Sequence, residues 1–219
     1  MSNLLKSLLS KAKKAELGHD IHENCVITEV TVAGKPGKEG QASKWNCNTK
    51  FVKFDKDGNT MGEKEVSWYE LDNGNEFVKS KFTSQITQLV NILECFHTPT
   101  EVNAIFDPIL ADFEIVDEES LENILKDKDN NKNLMLDIAK AYTAAMVDNL
   151  NKEPVRLKLT FDSKGKYIGQ PQYNNFVEKS SVAKEDSKLK FSKNEIENEI
   201  KSRNVITNTP VSSKTLSAI

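Results

Sequence analysis

Between Cys25 and Leu71, apolar and polar residues alternate with the two-residue period of half-buried strands. CVITEVTV carries Val26, Val30 and Val32 at even positions, with Glu29 and Thr31 opposite. WNCNTKFVKF sets Trp45, Cys47, Thr49 and Phe51 on one side and Asn46, Asn48 and Lys50 on the other. Val52 and Phe54 then continue the apolar pattern in the other phase, which predicts a β-bulge inside this second strand. EKEVSWYELD places Val66 and Trp68 against Ser67, Tyr69 and Leu71, so one face must leave an aromatic exposed or find it a cover. The joints AGKPGKEGQASK and DKDGNTMG are rich in Gly, Lys and Asp, residues that let a solvated backbone turn.

The period then changes to that of a helix. Ile86, Leu89, Val90, Leu93 and Phe96 recur at three- and four-residue steps behind a cap at Thr83 or Ser84, and Thr98-Pro99-Thr100 ends the run. Much later Val155, Leu157, Leu159 and Phe161 alternate with Arg156, Lys158 and Thr160. The turn Asp162-Ser163-Lys164-Gly165 then reverses the chain into Lys166-Tyr167-Ile168. Three strands, a helix and two strands is the order of a five-stranded OB barrel. The expected class is mostly β with α insertions (α+β), an OB-like barrel over 18–180 with a helical insertion at about 98–151, between the third and fourth strands.

Outside the barrel the pattern is looser. Residues 3–16 fit an amphipathic helix with Leu5, Leu8, Leu9 and Ala12 on one stripe. That stripe suits a docking arm and a helix laid across the barrel end equally well. The insertion holds a short helix starting near Asp117 and a longer one over LMLDIAKAYTAAMVDNL. It carries twelve acidic residues against four basic ones. From about Ser180 the chain reads as a polar, largely flexible tail. Ser192 and Glu195 there form a capping box for a helix through Ile196 and Ile200, and the last sixteen residues read as disordered.

Composition narrows the chemistry. A net charge of −3 over 219 residues gives no bulk attraction for nucleic acid. Three cysteines make no disulfide framework and point to a reducing, cytoplasmic setting. The N-terminal leucines are interrupted by Lys6 and Ser7 and precede the basic residues, which is not the order of a signal peptide. No G-x-S-x-G elbow, Walker loop or H-E-x-x-H pair is present, so no enzyme is expected. His19, His22 and Cys25 stand three apart, Cys95 and His97 form a second pair, and with Cys47 four of these could meet tetrahedrally if the helix end lies near the first strand. Without a C-x-x-C knuckle the expectation is no metal and no cofactor.

Single-stranded nucleic acid fits the interleaving of cations with aromatics better. Lys44, Lys50, Lys53, Arg156, Lys158 and Lys166 are the phosphate candidates. A subset of Trp45, Phe51, Phe54, Trp68, Tyr69 and Tyr167 supplies stacking faces. Three stretches carry a family resemblance: Gly18 to Val30 (GHDIHENCVITEV), the second strand with its DKDG turn, and Lys158 to Glu178 (KLTFDSKGKYIGQPQYNNFVE). Over residues 18–180 the chain resembles the single-stranded DNA-binding proteins of tailed bacteriophages. The resemblance implies an OB fold, sequence-tolerant binding of single-stranded DNA, no catalysis, and a role in replication or recombination in the host cytoplasm. Many such proteins end in an acidic tail that recruits partners. Residues 180–219 hold seven basic and five acidic side chains, which leaves three readings of the acidic insertion: a surface for replication or recombination proteins, a guard over the binding groove when DNA is absent, or a solubilising helical cap on the barrel. The alternative is a structural or adaptor protein, for instance of a phage particle, that binds protein with the same barrel. The discriminating feature is whether Lys50, Lys53, Arg156 and Lys158 line one groove or scatter.

Overall fold

A single long strand sets the architecture. In the computed structural model, which describes residues 15–35, 44–70, 78–171 and 175–207, β1 (Asp20–Lys35) pairs antiparallel with two partners. Its first third, Asp20 to Cys25, pairs with β4 (Val155–Phe161), and Cys25 to Lys35 pair with β2 (Lys44–Phe54). Asn24 takes a left-handed φ of 56° at the irregularity between His22 and Cys25, a conformation asparagine tolerates better than most side chains. A second irregularity follows between Ile27 and Glu29, with Thr28 as the extra residue. Bulges bend and twist the strand that carries them, and two in succession let β1 serve both partners of a curled sheet.

β2 pairs onward with β3 (Thr60–Tyr69), and the sheet order is β3-β2-β1-β4-β5. The far edge of β4 is divided: β6 (Val177–Lys179) takes Val155 to Leu157, and β5 (Ile168–Gly169) takes Thr160 and Phe161. The expected closing strand is thus two short pieces. At the other end, the free edge of β3 receives the chain just before β1. Leu17 N–H donates to Glu63 O at 3.1 Å and Glu63 N–H to Ala15 O at 2.9 Å, beside a parallel bridge between Glu16 and Glu63. Gly18 and His19 then carry the chain from the β3 edge to the β4 edge. The sheet is a curled, mixed α+β half-barrel.

The bulges also correct the phase of the sequence pattern. Ile27 and Cys25 face inward at 1% and 0% exposure, whereas Val26 points to the opposite side from Val30 and Val32 because Thr28 shifts the register. β2 runs through Phe51 and Val52 without the expected slip. The irregularity beside it lies in β3, where Met61 is the extra residue between the pairs Lys53–Gly62 and Phe54–Thr60.

Four helices separate β3 from β4: α1 (Val78–Leu93), α2 (Pro99–Asp112), α3 (Glu118–Lys126) and α4 (Lys128–Met146), followed by a 3-10 turn at Val147–Asn149. α1 begins before the expected cap at Thr83. α2 went unforeseen, although Thr98 and Glu101 form a full capping box and Pro99 opens the helix, where its missing N–H costs nothing. α3 starts beside Asp117 as expected, and Asp117 caps it. Leu89, Ile92 and Leu93 of α1 and Leu134, Ile138 and Tyr142 of α4 fill the inner face of the sheet together with Phe51, Val66 and Trp68. Several polar groups there are paired, although the buried Trp45 Nε1 has no partner among the described residues. Trp68 Nε1 donates to Gln88 Oε1 at 2.9 Å, Gln88 Nε2 donates to Pro171 O at 2.8 Å, and the Thr49 and Tyr142 hydroxyls meet at 2.8 Å.

The segment expected to be a flexible tail folds back over β4 and continues as α5 (Lys193–Thr207), so residues 204–207 are helical. Its anchor is polar. Glu195 accepts from the Ser192 N–H at 2.6 Å, closing the expected capping box, and its carboxylate also receives Lys158 Nζ at 3.2 Å. Ile196 and Ile200 stay about half exposed on the outer side of the helix. The expected N-terminal amphipathic helix, apart from residues 15–16, and the tail beyond 207 lie outside the described residues.

Lys158 and Glu195 side chains are 1% and 8% exposed, so each depends on the other. Glu195→Ala leaves a buried ammonium without its carboxylate and is expected to cost about 3–5 kcal/mol in urea unfolding. The double replacement Lys158→Met with Glu195→Leu should recover most of that loss.

Candidate nucleic-acid interface

Cross-strand register sorts the twelve candidates onto faces. On the inner side Trp45, Phe51 and Trp68 are 5%, 0% and 1% exposed, and they are core residues that no base could reach. Their large side chains fill the space between the sheet and α1 and α4. Trp68 meets Tyr142 edge-on with ring centroids 6.0 Å apart, and Phe51 meets Phe176 likewise at 6.4 Å.

Arg156 and Lys158 are corrected for a different reason. They do face outward from β4, but residues 180–195 cover that face. Arg156 donates to Glu23 Oε2 at 2.9 Å, Glu178 Oε1 at 2.7 Å, Ser180 O at 3.1 Å and Val182 O. Lys158 Nζ donates to Lys190 O at 3.0 Å besides the Glu195 carboxylate. Both cations are enclosed and engaged by acceptors, and neither meets phosphate.

Seven candidates remain at the surface. Lys44, Lys50 and Phe54 of β2 and Tyr69 of β3 occupy the outer parity of the sheet. The register pairs Asn46 with Tyr69 and Ala33, Asn48 with Ser67 and Thr31, and Lys50 with Glu65 and Glu29. This outer face is exposed or half-exposed apart from Asn46 and Val52, and Tyr69 stands out at 56% exposure. Asn46 Nδ2 donates to Asn48 Oδ1 at 2.8 Å, while Asn46 Oδ1 is buried without a partner among the described residues. Lys50 pairs with Glu63 at 3.2 Å. Lys53 has the inner parity, at the half-buried end of the sheet beside Cys25 and Gly62. Lys166 and Tyr167 sit apart on the β4–β5 turn, with Lys166 Nζ 5.1 Å from the Tyr167 ring centroid. Lys50, Lys53, Arg156 and Lys158 therefore do not line one groove.

The β4–β5 turn is rigidly built. Gly165 has φ 68°, Asp162 N–H donates to Tyr167 O at 2.8 Å, and Asp162 Oδ1 accepts from Lys166 N–H at 2.6 Å. The bond from the Lys166 backbone holds the Asp162 carboxyl below its ordinary range.

The metal candidates do not converge. Among the described residues no three His, Cys, Asp or Glu side chains are grouped to hold an ion. His19 is stacked between Phe161 and Phe191, with centroids at 5.1 and 4.8 Å, and His22 Nε2 lies 2.8 Å from Gly18 O. His97 Nε2 is 3.1 Å from Asn149 Nδ2. Burial pushes the thiols of Cys25 and Cys95 up to about 12 and that of Cys47 up to about 11.

No family model, curated protein or solved structure matches this chain. Among the described residues no helix is long and apolar enough to cross a membrane.

Because the thiolate is the reacting form, the folded protein should resist iodoacetamide at about pH 8, and all three thiols should react once urea unfolds it. Mass spectrometry of the alkylated protein reads the difference, and rapid labelling of any native thiol would contradict the burial.

Proposed function

We propose that the chain is a non-catalytic OB-type barrel that binds single-stranded DNA with little sequence preference, in DNA replication or recombination of a phage in its host cytoplasm. The observation that carries this reading is the outer face of β1–β3. It sets the exposed ring of Tyr69 beside a row of Asn46, Asn48, Ser67 and Thr31, with Lys44 and Lys50 along the same strand. A tyrosine ring stacks on any base, and amides and hydroxyls supply both donors and acceptors for base edges and sugars. The strand order and the placement of the helices after β3 agree with an OB barrel, whose β2–β3 face is an established oligonucleotide surface.

The same face limits the electrostatics. Glu29, Glu63 and Glu65 stand among the lysines, so only about two or three phosphates can be neutralised there. Binding to an oligothymidine should therefore fall with salt at a log–log slope of about −2, shallower than a strongly cationic groove gives.

Scatter of the four cations favours the adaptor reading, in which the barrel binds protein, and the acidic helices are a separate candidate surface for partners of a DNA-binding protein. Part of that acidity already serves the fold. Glu118 and Glu122 of α3 both receive Lys79 of α1, the latter at 2.6 Å, and Asp117 caps α3.

Fluorescence anisotropy with labelled oligothymidine separates the two readings. Tyr69→Ala should cost about 1–3 kcal/mol of affinity with the circular dichroism spectrum unchanged. Absence of binding by the unmodified protein at low salt would leave the adaptor reading.

A further inference from the structure

We propose that the cleft between the β4–β5 turn and α5 receives one unpaired nucleobase of the bound strand, an inference that rests on the single-strand reading above. The cleft encloses about 800 Å³, room for a base with its sugar. Phe161 and Tyr167 are among its lining residues, together with the amides of Gln170, Asn194 and Asn198. A nucleobase combines flat π faces with an edge of donors and acceptors. A lining that holds both aromatic rings and amides, which themselves carry both kinds of group, complements that combination.

Three further observations support the assignment. Tyr167 is 64% exposed, and the nearby Lys166 ammonium adds a cation at the ring. Of the three carboxylates that line the cleft, Asp162 is engaged by the turn's own N–H groups and Glu195 by Lys158 and the Ser192 N–H, while Glu197 is exposed to solvent. The rim carries Lys201, and Lys164 and Lys166 are exposed on the adjoining turn, so phosphates flanking an inserted base would meet cations.

The walls are also held at a fixed spacing. A Cβ added to Gly165 would lie 2.6 Å from the backbone nitrogen of Ser202, so the turn is pressed directly against α5. Lys201 Nζ ties the two sides at the cleft mouth, donating to Asn198 Oδ1 at 3.2 Å and Ser163 O at 3.4 Å. The cleft is thus built before any ligand arrives, and binding there needs no reordering of the turn.

The test titrates the full chain with thymidine 5′-monophosphate and, separately, with oligothymidine, following assigned amide signals by NMR. The mononucleotide should shift signals of Tyr167, Gln170 and Asn194 selectively. Tyr167→Ala and Asn194→Ala should each weaken it about tenfold, and Lys140→Ala, at an exposed position of α4, should leave it unchanged. Mononucleotide shifts that leave the cleft signals unmoved, or affinity untouched in both cleft variants, would overturn the assignment. Oligothymidine binding that persists in that case would keep the single-strand reading while removing the cleft. Mononucleotide binding in the cleft without oligothymidine binding would remove the single-strand reading and with it the strand-base assignment, leaving a site for free nucleotides.

Discussion

The bend in β1 is the constraint on which the remaining structure depends. One strand must pair with β4 over its first third and with β2 over the rest, and it does so through the left-handed Asn24 and the extra residue Thr28. Were β1 straight, β4 would continue a flat sheet and the two ends could not approach each other. The curl creates an inner face deep enough for Trp68, Phe51 and Tyr142, and an outer face on β1–β3 that remains polar. The residues just before β1 pair with the free edge of β3, so one continuous stretch of chain touches β3 and then pairs with β4.

A second consequence concerns where positive charge ends up. The outward side chains of β4 are Arg156, Lys158 and Thr160, and the chain returns over them with Glu178, Glu195 and several carbonyl groups. Taking such cations out of water is unfavourable unless each donor finds an acceptor, and here the covering segment supplies them. α5 is therefore anchored through the polar contacts of Glu195 while Ile196 and Ile200 stay about half exposed, the reverse of the usual amphipathic arrangement. The outcome is a polar, nearly charge-balanced open face instead of a cationic groove.

Local patterns were legible in the sequence and non-local ones were not. The strands, the capping boxes at Asp117 and Ser192, and the exposed aromatic on β3 follow from alternation and cap chemistry within a few residues. The Thr98–Glu101 box around Pro99 offered the same kind of signal for α2. Alternation could not reveal that Thr28 shifts the phase of β1, because a bulge is defined by the partner strand. Nor could it reveal that the basic face of β4 is covered, since the covering residues lie 22 to 37 positions downstream. The aromatics on β2 were ambiguous for a related reason. A tryptophan beside a lysine reads alike whether its ring faces the core or a base, and only the curl decides.

The claim that single strands lie across the outer face of β1–β3 is tested most directly by photocrosslinking. An oligonucleotide carrying bromodeoxyuridine would be irradiated with the intact protein and the modified peptides mapped by mass spectrometry. The account predicts crosslinks at Tyr69, with Tyr167 as the second site. Crosslinks confined to α2–α4, or none at concentrations that saturate binding, would contradict it.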